Sequence, residues 1–206
     1  MSVATEWASF KTPAKKEIAP VPEVGTKAPV NENLKLPADK PTIIVFLRHC
    51  GCPFAEKTFK DLTTLSNRHP EIHFVAVSHS SPEATEYWVV TVGGNWDVEV
   101  VIDEQRDLYS QFGLGVSTTW HVMNPATLVK AMRLAKDENI WNRPTGQSGS
   151  RWQTSGAFAV DVGGTVRWRQ VARSADDVPD LDAAVQSLGV TPFPKPPPEV
   201  RTEGFL

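Results

Sequence analysis

Residues 41–68 read PTIIVFLRHCGCPFAEKTFKDLTTLSNR, and this stretch decides the fold. Pro41 and Thr42 lead into the apolar run Ile43 to Leu47, which is rich in β-branched residues. A short unbroken run of that kind suits a strand covered on both faces. Arg48, His49, Cys50 and Gly51 follow and are not core residues by type. Next comes Cys52-Pro53, and proline fits the first position of a helix because its missing N–H has no partner to lose there. From Phe54 the spacing turns helical: Phe54, Ala55, Thr58, Phe59, Leu62 and Leu65 fall within an arc of roughly 140° at about 100° per residue. Glu56, Lys57, Lys60 and Asp61 are expected to point away from that arc. A buried strand therefore turns sharply into an amphipathic helix with a cysteine at its start.

That position favours chemistry at sulfur. The first N–H groups of a helix lack partners, and the helix dipole puts partial positive charge there. Both favour a thiolate, the nucleophilic form of cysteine. Arg48 and a protonated His49 would add to the effect. Cys52 is the expected nucleophile. The other reading of Cys52 is a small buried hydrophobe.

A strand followed by Cys-Pro opening a helix resembles the thioredoxin fold, and within it the peroxiredoxin branch (alkyl hydroperoxide reductase/thiol-specific antioxidant proteins). The peroxiredoxin segment reads Pro-x-x-x-Thr/Ser-x-x-Cys. With the nucleophile at Cys52, Val45 stands at its proline and His49 at its threonine. The match is closer to a divergent peroxiredoxin-like group that includes prostaglandin-F-synthase-like proteins, with a turn similar to Phe-x-Arg-x-x-x-Cys-x-x-Cys. Phe46, Arg48 and Cys52 fit it, and Ala55 replaces its second cysteine. Gly25-Thr26-Lys27-Ala28-Pro29 also resembles the Gly-x-x-Ala-Pro lead-in of thioredoxin-fold redox proteins. The resemblance implies an α/β thioredoxin-like fold with a central mixed sheet, helices on both faces and extended proline-rich arms.

The remaining sequence is consistent with that fold. The length of 206 residues suits one domain with a real core. A net charge of −3 argues against a nucleic-acid binder. No apolar run approaches the ~20 residues of a membrane span, and the start of the chain has no apolar signal-like region, so a cytoplasmic protein is expected. The 17 prolines cluster at the ends. Expected divisions are an arm over 1–24 (with a short helix near Ala4–Phe10), a peroxiredoxin-like domain over 25–190, and a proline-rich tail over 191–206.

Within the domain, strands are expected at 72–77, 98–102, 157–161 and 166–171, the last two joined by a turn at Val162-Gly163-Gly164-Thr165. Helices are expected from Pro82, capped by Ser81, to about Val90, over 107–113 closed by Gly113, and over 179–188. Residues 114–150 read as an insertion. It contains a helix from Pro125 to about Lys136 with Leu128, Val129, Met132 and one of Ala131 or Ala135 facing inward. Such insertions often line sites.

By the resemblance, Arg48 would hold the thiolate and a substrate oxygen, and His49 would assist proton transfer. Two readings of Cys50 stand: a strained redox disulfide with Cys52, or a thiol that points the other way. The stretch Gln153-Thr154-Ser155-Gly156 precedes a strand and would face Cys52, similar to Gln-x-Gly-Gly of the divergent group. The arginine of typical peroxiredoxins would align near Ser155, so Arg151 is the expected substitute. Arg151, Gln153, Ser155 and Trp120 are thus candidate substrate-binding residues, with Trp141 and Trp152 as further pocket walls. Zinc at His49, Cys50, Cys52, His79 and His121 is the weaker reading, because Cys-x-Cys is not a usual zinc pairing. No cofactor is expected.

The implied activity is reduction of a peroxide or disulfide by a Cys52 thiolate. Its partners would be the small-molecule substrate, a thiol reductant such as thioredoxin or glutathione, and a second copy in a homodimer, without nucleic acid or membrane. The alternatives are a non-redox biosynthetic enzyme acting on an apolar small molecule, and a binding protein whose proline-rich ends make the contacts.

Overall fold

The computed structural model describes residues 13, 16–117, 125–143 and 149–190. Its centre is a five-stranded sheet in the order β3-β2-β1-β4-β5. Strand β1 is Thr42–Phe46, β2 His73–Ser78, β3 Val98–Ile102, β4 Gly156–Val160 and β5 Val166–Val171. β1 pairs in parallel with β2, and β2 with β3, while β4 runs antiparallel to both β1 and β5. Along the chain the helices are α1 (Pro53–Ser66), α2 (Pro82–Thr91), α3 (Asp107–Gln111), α4 (Pro125–Glu138) and α5 (Leu181–Ser187).

All five β1 residues are buried, because both faces of the strand are covered. Ile43 and Val45 join the core under α1, α2 and α5 with Phe59, Leu62, Trp88 and Leu181. Ile44 and Phe46 join the opposite core with Leu108, Tyr109, Phe112 and Phe158. Phe46 sits edge-on to Tyr109 and Phe158, with ring centroids 5.0 and 6.0 Å away. The α1 arc is as expected: Phe54, Ala55, Thr58, Phe59, Leu62 and Leu65 are all buried. Pro82 opens α2, with the Ser81 hydroxyl accepting from Ala84 N–H.

The N-terminal arm is tied to the sheet by its backbone. Gly25 N–H donates to Val166 O, Val166 N–H to Thr26 O and Ala28 N–H to Gly164 O. Val21 packs so close to Gly113, whose φ is +75°, that an added Cβ would meet it at 2.6 Å.

Glu56 lies off the apolar arc, and its side chain is still only 1% exposed, because residues of the inserted segment cover that face of α1. One expectation about faces is corrected. In α4 the exposed residues are Leu128, Val129 and Met132, the stripe expected inside. The helix turns its other face inward. Thr127 donates to Asp176, Lys130 ion-pairs with the same carboxylate, and Ala131 and Leu134 pack on the core. The polar anchor at Asp176 outweighs the apolar stripe in setting the rotation of α4. The short helix expected near Ala4–Phe10 and the tail over 191–206 lie outside the described residues.

Candidate active site

The ends of β1 and β2 and the start of β4 meet at one edge of the sheet, with Phe46 opposite Val77 and Gly156. Loops beyond the carboxyl ends of parallel strands are where α/β folds build sites. Here Tyr109 bridges the two strand ends: its hydroxyl lies 2.5 Å from Leu47 O and 2.8 Å from Val77 O. Beyond Leu47 the chain makes the turn 48–52. Cys52 N–H donates to His49 O at 2.9 Å and Gly51 N–H to His49 Nδ1 at 3.2 Å.

Cys52 is the N-cap of α1. Its side chain makes no cap hydrogen bond, so the direct contact with helix amides expected from its position is not present. Its Sγ faces Arg48 instead, accepting from NH1 at 3.3 Å. The Arg48 NH2 donates to the carbonyl of Arg151. The Arg48 Nε is buried and has no hydrogen-bond partner among the described residues. Arg48 also lines a narrow crevice with Phe54, Ala55, Thr58, Ser155 and Gly156.

Cys50 is in a different environment. Its Sγ lies 3.9 Å from both Ser78 Oγ and Thr85 Oγ1, which are themselves 2.9 Å apart. Burial pushes this thiol's pKa up, and the neighbouring hydroxyls of Ser80, Ser78 and Thr85 only partly offset that. Both cysteines are free thiols, so the disulfide expected as one alternative is not formed here.

His49 is not the cationic neighbour that the sequence suggested. Burial first, then the charges of Arg48 and Arg151, lowers its pKa well below the usual histidine value. It is neutral at pH 7, and its Nδ1 is occupied as an acceptor from Gly51 N–H. Burial likewise lowers His79 to about 4. Its Nε2 accepts from Ser150 N–H at 3.0 Å, and its Nδ1 lies 3.4 Å from Tyr109 Oη. Among the described residues no group of three His, Cys, Asp or Glu side chains is placed to hold a metal ion.

The other candidates fall as follows. Ser155 lines the crevice beside Arg48. Arg151 meets Arg48 through its main-chain carbonyl, while its guanidinium acts on His49 through its charge. Gln153 braces the inserted segment's base: its Nε2 contacts the carbonyls of Leu114, Gly115 and Thr154. Trp120 and His121 lie outside the described residues.

The inserted segment starts and ends at one place, since Ser117 N–H donates to Trp152 O and Thr154 N–H to Gly115 O. Two of its residues, Arg143 and Gly149, lie against the cysteine turn and its neighbours. Arg143 N–H donates to Gly51 O at 3.0 Å. Gly149, with φ +87°, passes so close that a Cβ there would meet Ser80 Oγ at 2.7 Å and His49 Cβ at 3.3 Å. Glu56, Tyr109, Arg143 and Gly149 were not among the sequence candidates. Glu56 carried one signal, an acidic side chain in the first turn of the helix that Cys52 opens. Nothing local connects it to Arg143.

A family model described as AhpC/TSA antioxidant enzyme matches residues 60–174, more than half of the chain. The chain belongs to that family. The match begins after Cys52, so it supports the family through the fold beyond the turn. Among curated relatives, a prostamide/prostaglandin F synthase of Salmo salar is 30% identical over 160 residues, covering 73% of this chain and 76% of that protein. One of Xenopus tropicalis is 28% identical over 155 residues, covering 74% and 76%. The AhpC/TSA chain resembles the solved peroxiredoxin-like protein of Aquifex aeolicus, with TM-score 0.58, 16% identity, and 85% of this chain and 91% of that one covered. A thiol peroxidase of Chromobacterium violaceum gives TM-score 0.55 at 15% identity with the same coverages. At these identities the structural likeness establishes the peroxiredoxin-like, thioredoxin-type fold. No helix among the described residues is long and apolar enough to cross a membrane.

Proposed function

We propose that this AhpC/TSA-family chain is a thiol oxidoreductase that reduces a peroxide through Cys52. The carrying observation is the Arg48 NH1 to Cys52 Sγ contact of 3.3 Å, with Arg48 Nε left unpartnered beside it. The buried guanidinium gives the sulfur a fixed, charged hydrogen-bond donor. The free N–H is a donor for the oxygen that receives charge as the O–O bond breaks. The thiolate sulfur attacks one peroxide oxygen, the O–O bond breaks, and the other oxygen leaves as an alkoxide or hydroxide that takes a proton from water. Cys52 becomes a sulfenic acid. His49 is neutral at pH 7 and is not the acid in this step.

A thiol then attacks the sulfenic sulfur, forming a mixed disulfide and releasing water. Cys50 is held among hydroxyls with its thiol protonated, so the resolving thiol is an external one of the thioredoxin or glutathione type. A second thiol of the reductant then attacks that mixed disulfide, releasing the Cys52 thiolate and leaving the reductant as a disulfide. The site is closed as it stands, with Cys52 only 3% exposed, so larger substrates enter after the cover shifts.

The curated relatives' names favour a second reading, a biosynthetic enzyme acting on an apolar small molecule in the crevice lined by Phe54 and Ala55. One experiment separates the two. Stopped-flow loss of hydrogen peroxide is measured with pre-reduced wild type and with Cys52→Ser. The thiol-peroxidase reading expects rapid stoichiometric loss in wild type and none above background in the variant. Equal traces would remove it and leave the biosynthetic reading.

A further inference from the structure

We propose that Arg143 is a positioning residue for Cys52, acting through the Gly51–Cys52 peptide and itself held by Glu56. The inference rests on Cys52 being the reacting thiol. Most hydrogen bonds of the turn come from the turn itself or from α1: Cys52 N–H to His49 O, Gly51 N–H to His49 Nδ1, and Glu56 N–H to Cys52 O at 3.1 Å. Among the main-chain hydrogen bonds described for the turn, that of the Gly51 carbonyl differs, since its donor is Arg143 N–H on the inserted segment. Gly51 O and Cys52 N belong to one peptide plane. Bonding both fixes the rotation of that plane, and with it the direction in which Cys52 presents its sulfur to Arg48.

Arg143 is in turn fixed from the same helical turn. Its Nε donates to Glu56 Oε2 at 2.8 Å and its NH2 to Glu56 Oε1 at 3.3 Å. Burial pushes the Glu56 carboxyl up, but Arg143 and Lys60 more than offset this and hold its pKa below the usual value, so it is anionic at neutral pH. The result is a closed loop: Cys52 to Glu56 through the helix backbone, Glu56 to Arg143 through the ion pair, and Arg143 back to the Gly51–Cys52 peptide. At the other end of α4, Asp176 anchors the inserted segment through Thr127 and Lys130, with no hydrogen bond or ion pair to the turn among the described residues. That anchor is a built-in control for a merely structural role.

The test compares full-length wild type, Glu56→Gln, Arg143→Lys and Asp176→Asn. Two rates are read on protein confirmed folded by circular dichroism: peroxide consumption, and iodoacetamide alkylation at Cys52 located by peptide fragmentation. A misdirected sulfur loses the rate that needs alignment with Arg48 and gains the rate that needs only access. Glu56→Gln is expected to lower the peroxide rate about tenfold and raise Cys52 alkylation severalfold. Arg143→Lys keeps the charge and the main-chain N–H but loses the fork, and is expected to give a smaller split of the same sign; it decides the matter if Glu56→Gln does not fold. Asp176→Asn is expected to lower the melting temperature with no split. Unchanged rates in the folded Glu56 and Arg143 variants, or the same split in Asp176→Asn, would overturn the proposal. If wild type does not consume peroxide, the peroxidase reading falls, and the alkylation rates alone decide the positioning role.

Discussion

Cys50 and Cys52 stand two residues apart and are almost equally buried, at 6% and 3% exposure, yet they face opposite surroundings. Cys52 meets a guanidinium, whereas Cys50 meets two hydroxyls and lies on the side of the turn where His79 is neutral. Burial pushes the Cys50 thiol's pKa up and keeps it protonated. The difference teaches that two thiols at the same depth can meet different chemistry, a fixed cation at Cys52 and neutral hydroxyls at Cys50, and the proposed function rests on that contrast. Cys52 occupies the helix N-terminus but makes no side-chain bond to its amides; the group its sulfur meets is the Arg48 guanidinium.

The largest way to break this contrast is to remove the cation. Arg48→Met keeps length and apolar contact while deleting every donor. The peroxide reaction of Cys52 is expected to fall about a hundredfold, equivalent to about 2.7 kcal/mol, as when one oxyanion donor is lost. Stopped-flow rates on Cys50-alkylation-free protein give the comparison. A change of less than about threefold would put the selectivity elsewhere.

The neutral side can be tested by adding a proton to it. His79 titrates at about 4 in the folded protein, against about 6.5 when unfolded. Between those values the unfolded chain binds a proton that the folded chain refuses, so stability falls as pH is lowered. From pH 7 to 4.5 the expected loss from His79 is about 2.5 kcal/mol. His49, also lowered, adds in the same direction. Asp176, held at about 2, contributes stability above about 3.8 that is lost only at lower pH, outside this window. Urea titrations at pH 7 and 4.5, with His79→Gln as reference, measure the slope. A flat profile would mean that His79 is not neutral and enclosed as described.

The same contrast shows what the sequence could and could not carry. The frame was legible because it follows from local patterns: the apolar run of β1, the Pro53 start and apolar arc of α1, the Ser81 cap and the glycine turn before β5 each act over a few residues. Cys52 and Arg48 were legible for the same reason, lying four residues apart on one turn. What failed was long-range. Glu56 was placed off the apolar arc, but its partner was not legible, because nothing near it announces Arg143, 87 positions away. Leu128, Val129 and Met132 were read as core because their stripe is apolar, and only the anchor at Asp176 turns them outward. His49 was read as a cation because a sequence shows its arginine neighbour but not its burial.

The most direct test of the central claim is to oxidise the reduced protein with one equivalent of hydrogen peroxide, trap sulfenic acid with dimedone, and locate the adduct by peptide fragmentation. The account predicts the adduct on Cys52, little or none on Cys50, and its loss in Arg48→Met. An adduct mainly on Cys50, or one on Cys52 that survives removal of Arg48, would contradict it.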